Sequence, residues 1–205
     1  MTRRAAEPLA RATLWLVVAA VALVPLGVAV ASPLQASRDA LWITGGLAGV
    51  LALVLLFLQP LLIDGLLPFV RGLAQRRWHR WIGLALTGLV MLHVGGLYLT
   101  SPEDIVDALL LVSPTPFAVY GVIGFWAVIV TACLAAFRRR LRPRLWQVVH
   151  SVLAATIVVA SVVHAVLIEG VMGDMSKLVL SVFTVVAAGA VLLKTVLGRR
   201  LATGR

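Results

Sequence analysis

The chain has 205 residues, is 61% hydrophobic and 13% charged, and carries a formal net charge of +10. A soluble domain of this length cannot bury so much apolar surface, so the soluble classes are excluded and an all-α multi-pass membrane protein is expected. The positive charge needs no nucleic acid to explain it, because it is concentrated in alternate loops.

A hydrocarbon core of ~30 Å takes about 20 apolar residues to cross. Six such spans fit, at roughly 13–31, 40–60, 79–100, 117–137, 145–168 and 177–197. The first reads as an anchor, since its apolar run outlasts a signal-peptide core and no cleavage site before a soluble domain follows. Pro25 in the first span and Pro60 at the end of the second are expected to kink or end their helices. Between the third and fourth spans, the stretch from Ser101 to Pro116 predicts a short interfacial helix bounded by Ser101-Pro102 and Pro114-Thr115-Pro116. Trp78, Trp81 and Trp146 stand where the third and fifth spans begin and suit an interfacial aromatic belt. Cys133 is the lone cysteine, so there is no disulfide framework, no CxxC and no CxxCH for covalent haem.

The arginines sort the loops into two kinds. Arg3, Arg4 and Arg11 precede the first span, and Arg71, Arg76, Arg77 and Arg80 fall around the start of the third. Arg138, Arg139, Arg140, Arg142 and Arg144 precede the fifth, and Lys194, Arg199, Arg200 and Arg205 close the chain. The opposite loops hold Arg38 and Lys177 against Asp39, Glu103, Asp104, Asp107, Glu169 and Asp174. Basic loops stay in the cytoplasm, which predicts a six-helix bundle with both termini cytoplasmic. Arginine outnumbers lysine heavily and alanine, valine and leucine abound, as in a GC-rich bacterial genome. The expected location is a bacterial inner (cell) membrane.

All four histidines lie in the third and fifth spans, as His79/His93 and His150/His164, each pair fourteen residues apart. On a helix that step is ~1400° of rotation, about 40° short of four turns, and ~21 Å of rise. Each pair therefore lies on one face, with one member near each side of the membrane. Both spans start on the same side and run parallel, so His79 should be level with His150 and His93 with His164. Low-spin haem b takes two neutral imidazoles from opposite faces, and two such levels would hold two stacked haems. The face between the ligands should be small: Gly83 and Leu86 with Gly88 nearby in one span, Ala154, Ile157 and Ser161 in the other.

Other readings exist for each residue. His79 and His150 lie near the interface, where headgroups or water satisfy a histidine, and His93 and His164 could make plain interhelical hydrogen bonds. An intramembrane histidine is nonetheless a functional candidate by default. A zinc or non-haem iron site needs more ligands or a carboxylate than each level supplies. The arginines beside His79 and His150 either carry topology alone or include a partner for haem propionates, with Arg76, Arg77, Arg80 and Arg144 the candidates. Tyr98, Thr100 and Ser101 have the depth to serve the outer propionates.

The stretch Arg77-Trp78-His79-Arg80 through Gly83 to His93, with Leu145-Trp146-Gln147-Val148-Val149-His150 through His164, resembles the ferric reductase-like transmembrane domain. That superfamily includes ferric reductases, NADPH oxidases and the haem-binding membrane subunit of the bacterial periplasmic methionine sulfoxide reductase system. The resemblance covers most of the chain and implies a single haem-binding domain over 1–205, with the inner haem on His79 and His150 and the outer on His93 and His164. His79 resembles the two-haem oxidases, while the arginines before the third span look like the methionine sulfoxide reductase subunit. No GxGxxG or P-loop stretch is present, so no soluble flavin or nicotinamide domain is expected, and FMN or FAD has no motif to hold it.

These readings converge on a membrane cytochrome b, an oxidoreductase component that passes electrons from the cytoplasmic side to a periplasmic acceptor. A cytoplasmic flavin reductase or quinol would be the donor, and a periplasmic protein, ferric iron or oxygen the acceptor. No catalytic triad or carboxylate pair is present. The alternative is a non-catalytic haem-binding anchor or sensor subunit of a redox complex. A transporter would need broken helices and polar midplane residues, which are few here.

Overall fold

Proline and short polar residues mark where the helices begin. The computed structural model describes residues 2–67, 70 and 72–203, with seven helices among them. They are α1 (Thr2–Val30), α2 (Ala40–Asp64), α3 (Leu73–Thr100), α4 (Pro102–Leu109), α5 (Pro116–Ala136), α6 (Pro143–Leu167) and α7 (Asp174–Thr203). Arg71 and Arg205, and the side chains of Arg3, Arg4, Arg199 and Arg200, lie outside the described residues. Pro102, Pro116 and Pro143 occupy the first turns of α4, α5 and α6, where a missing N–H leaves no bond unmade. Asp39 caps α2 by accepting from the Trp42 N–H at 2.8 Å. Gly65, at φ 69°, ends α2 in the left-handed region that favours glycine.

Six helices, all but α4, are long and apolar enough to cross a membrane, and no strand occurs among the described residues. The chain is a multi-pass helical membrane protein. Neither Pro25 nor Pro60 ends its helix: α1 continues to Val30 and α2 to Asp64. Neighbouring helices shield the carbonyl that each proline leaves unpaired, so the chain has no reason to break there. The third span also starts earlier than its apolar run. α3 begins at Leu73, so His79 sits well inside a formed helix.

α2 is the hub. It packs along α3 as one antiparallel hairpin, α5 packs along α6 as a second, and α7 ties α1, α2 and α6 together. Phe57, Leu180 and Thr184 are fully buried where α2 meets α7, with Phe57 edge-on to Phe183 at 6.4 Å. The Thr184 hydroxyl donates to the Leu180 carbonyl at 2.7 Å, which satisfies that polar group inside the apolar seam. α2 and α3 approach to backbone contact at a pair of glycines. A Cβ on Gly96 would lie 3.1 Å from the Gly45 Cα and 3.3 Å from the Leu41 carbonyl. α3 and α6 are not among the closely packed pairs, which leaves a gap between the two histidine-bearing helices.

Two lysines tie helix ends. Lys177, in the first turn of α7, is buried and donates to the Ile168 carbonyl at the end of α6 (2.9 Å) while pairing with Asp174 at 3.0 Å. A cation there complements the helix C-terminus. At the arginine-rich end, Lys194 of α7 pairs with Asp64 of α2 at 2.7 Å. The Asp64 carboxylate is only 13% exposed, whereas Lys194 is largely open to solvent. Lys194→Met is expected to lower stability by about 1–2 kcal/mol, above the usual surface pair because a half-buried carboxylate is stranded. A thermal melt in detergent checks this, and adding Asp64→Asn should restore most of the loss.

Candidate functional site

An imidazole in an apolar bundle needs a partner for each nitrogen, and that requirement shapes the site. His79 and His93 project from α3, and His150 and His164 from α6. The rings meet across the gap in two levels: His79 with His150 at 6.2 Å between centroids, His93 with His164 at 6.4 Å. The levels are ~21 Å apart by helix rise. Leu86 and Ile157, both buried, each stand seven residues from either histidine of their own helix, midway between the levels.

With metal–imidazole bonds of ~2.0 Å and ring centres ~1.1 Å beyond the nitrogens, two axial imidazoles are about 6.2–6.3 Å apart across an iron. Both levels match that span. An edge-to-face aromatic pair falls in the same range, so ring orientation is the sharper test. The His93 Nδ1 donates to the Gly45 carbonyl of α2 at 2.8 Å, and the His164 Nδ1 donates to the Phe117 carbonyl of α5 at 2.9 Å. A carbonyl only accepts, so each Nδ1 carries the proton and the lone pair is left on Nε2, the nitrogen turned away from the backbone. That is the arrangement an Nε2 metal ligand requires. The interplanar angles of 82° and 74° make the imidazoles of each pair nearly perpendicular.

The same construction occurs in both hairpins. One turn beyond the accepting carbonyl stands a glycine, Gly49 in α2 and Gly121 in α5. A Cβ on either would lie 2.8 Å from the histidine Nδ1. Phe117 also sets its ring against His164 at 5.8 Å. The arginine-rich level is built differently. The register that sets His93 on Gly45 sets His79 on Gln59, whose side-chain Nε2 donates to the His79 carbonyl at 3.3 Å. The Nδ1 atoms of His79 and His150 are buried and have no hydrogen-bond partner among the described residues. Trp146 stacks on His150 at 4.9 Å and 20°.

Gly83 and Ser161 do not line the gap as the helical face suggested. A Cβ on Gly83 would meet the Gln59 amide at 3.2 Å, and one on Gly124 of α5 would meet the Ser161 hydroxyl at 3.3 Å. Gly83 sits ~40° off His79 by helical rotation; Ser161 sits ~60° off His164 but only ~20° off His150, so the contact with α5 rather than the rotation alone places it. Gly88 does face open space. Arg76, Arg77, Arg80 and Arg144 are exposed at the arginine-rich end, and none makes an ion pair among the described residues. Thr100 spends its hydroxyl on the Gly96 and Leu97 carbonyls of its own helix. Among the described residues no three His, Cys, Asp or Glu side chains cluster to hold a metal ion by themselves.

Residues 44–161, more than half of the chain, match the family model of the ferric reductase like transmembrane component. The match takes in His79, His93 and His150 and stops just before His164. No curated protein and no solved structure matches the chain.

Proposed function

The chain belongs to the ferric reductase-like transmembrane component family, and on that premise we propose that it is a membrane cytochrome b with two bis-histidine haem sites. Electrons would cross from the arginine-rich side, cytoplasmic by the positive-inside rule, to an acceptor on the periplasmic side of a bacterial inner membrane. The observation that carries this is the pair of imidazole levels, at 6.2 and 6.4 Å, on two helices that do not pack closely on each other. Haem b held at each level supplies a one-electron ferric/ferrous couple.

The residues of the chain do the rest. His79 and His150 would hold the group near the cytoplasmic side, and His93 and His164 the one near the periplasm. Arg77 and Arg80, exposed beside His79, carry the guanidinium charge to meet propionates at that level. Leu86 and Ile157, both buried, make the space between the levels apolar. With the inside negative, outward electron movement gains ~2.3 kcal/mol per electron per 100 mV. Reduced flavin from a cytoplasmic reductase, or quinol, would be the donor; ferric iron, oxygen or a periplasmic protein would be the acceptor.

Vesicles loaded with a ferric chelate and given reduced flavin outside test this. The expected result is reduction of the trapped chelate well above that in protein-free vesicles. Protein that becomes reduced yet leaves the chelate ferric would instead fit a haem-binding anchor or sensor.

A further inference from the structure

The two histidine levels differ in what holds them, and the difference comes down to two missing methyl groups. We propose that Gly49 and Gly121 are positioning residues that fix the His93/His164 level through the backbone, leaving the His79/His150 level set differently. This rests on the haem reading for its redox consequence, but the positioning itself is a property of the chain.

In an α-helix the carbonyl of residue i already accepts from the N–H of residue i+4. Its second lone pair is reachable only past the side chain of that i+4 residue. At Gly45 and Phe117 the i+4 residues are Gly49 and Gly121, and each imidazole lies where the Cβ would be. By the same registers, the positions one turn beyond the residues opposite His79 and His150 are Ile63 and Ala135. Both carry side chains, and there the Nδ1 atoms are the ones left without a partner. The same repeat thus carries glycine at one level and side chains at the other.

A carbonyl bond at Nδ1 makes the imidazole a more basic ligand, and a more basic ligand favours ferric iron. The haem on His93 and His164 would therefore have a lower potential than the same ligands would set without those bonds. Adding a Cβ at Gly49 or Gly121 should push the ring off the carbonyl, raise the potential of that haem alone, and weaken its retention about tenfold or more.

The test uses the full chain with labelled histidines, haem-free and haem-loaded, as wild type, Gly49→Ala and Gly121→Ala. Gly46→Ala, which adds a methyl to open space, and Gly124→Ala, which meets only α6 residues other than histidine, serve as controls. Imidazole ¹⁵N shifts in the haem-free protein report the tautomer, and a redox titration of the loaded protein reports each potential. The expected result is His93 and His164 held in the Nδ1–H form in wild type and both controls. That form should be lost at His93 in Gly49→Ala and at His164 in Gly121→Ala, with only one haem potential rising. Unchanged tautomers and potentials in both variants would overturn the proposal, as would wild-type His93 and His164 lacking the Nδ1–H form, whether or not either variant folds. A wild-type chain that takes up no haem, yet shows the tautomer change, would defeat the haem reading and leave the positioning role intact.

Discussion

His93→Ala should leave one haem per chain and reduce transfer across the membrane to the protein-free background. The level would lose one of the two imidazoles proposed to hold its haem, while His164 would stay bonded to the Phe117 carbonyl and could not reorient to compensate. The other level is ~21 Å away by helix rise and keeps both ligands, so its haem should persist with an unchanged spectrum. His150→Ala makes the complementary prediction: the haem at the arginine-rich level goes and the other remains. Haem-to-protein ratio and trapped-chelate reduction, measured on the same preparations, check both. A histidine serving only as a structural hydrogen-bond partner would destabilise the chain without removing haem from one level alone.

Gly96→Val should damage both the fold and one level of the site. At Gly96 the backbones of α2 and α3 touch, and a Cβ would stand 3.1 Å from the Gly45 Cα, an atom that cannot rotate away. Overpacking at such a point costs about 3 kcal/mol. The helices must separate there to admit the side chain, and the Gly45 carbonyl that holds His93 moves with α2. The expected outcome is a lower melting temperature together with selective loss of the haem on His93 and His164. Gly46→Ala, one residue from the same contact but facing open space, should change neither. Equal damage from both substitutions would contradict the role given to the Gly96–Gly45 contact, since both raise helix propensity.

The sequence showed much of this site because a helix is a ruler. The fourteen-residue step put each histidine pair on one face, and the arginine asymmetry gave α3 and α6 the same direction. The short α4 was also legible, since prolines bound it on both sides. What the ruler does not measure is the neighbouring helix. Gly45, Gly49, Phe117 and Gly121 act across a hairpin, and their role depends on an antiparallel register that the periodicity of α3 or α6 alone does not contain. A signal was nonetheless present. Gly49 and Gly121 stand at the depth of His93 and His164 once each hairpin is folded about its loop. Gly83 and Ser161 were misread for the same reason: whether a small residue meets the gap or the hairpin partner depends on the neighbouring helix, which the rotation of one helix does not contain. Pro60 does not end α2, because breaking a helix is costlier in lipid than losing one hydrogen bond beside packed neighbours.

Haem content separates a two-level electron conduit from a helical bundle whose histidines serve packing alone. The most direct measurement is the pyridine haemochrome stoichiometry of the purified full chain, expressed with ample haem, alongside its low-temperature electron paramagnetic resonance. Two haem b per chain, both low-spin with the signature of nearly perpendicular imidazoles, is the predicted result. A folded chain that carries no haem, or binds it at a single level only, would contradict the two-level conduit.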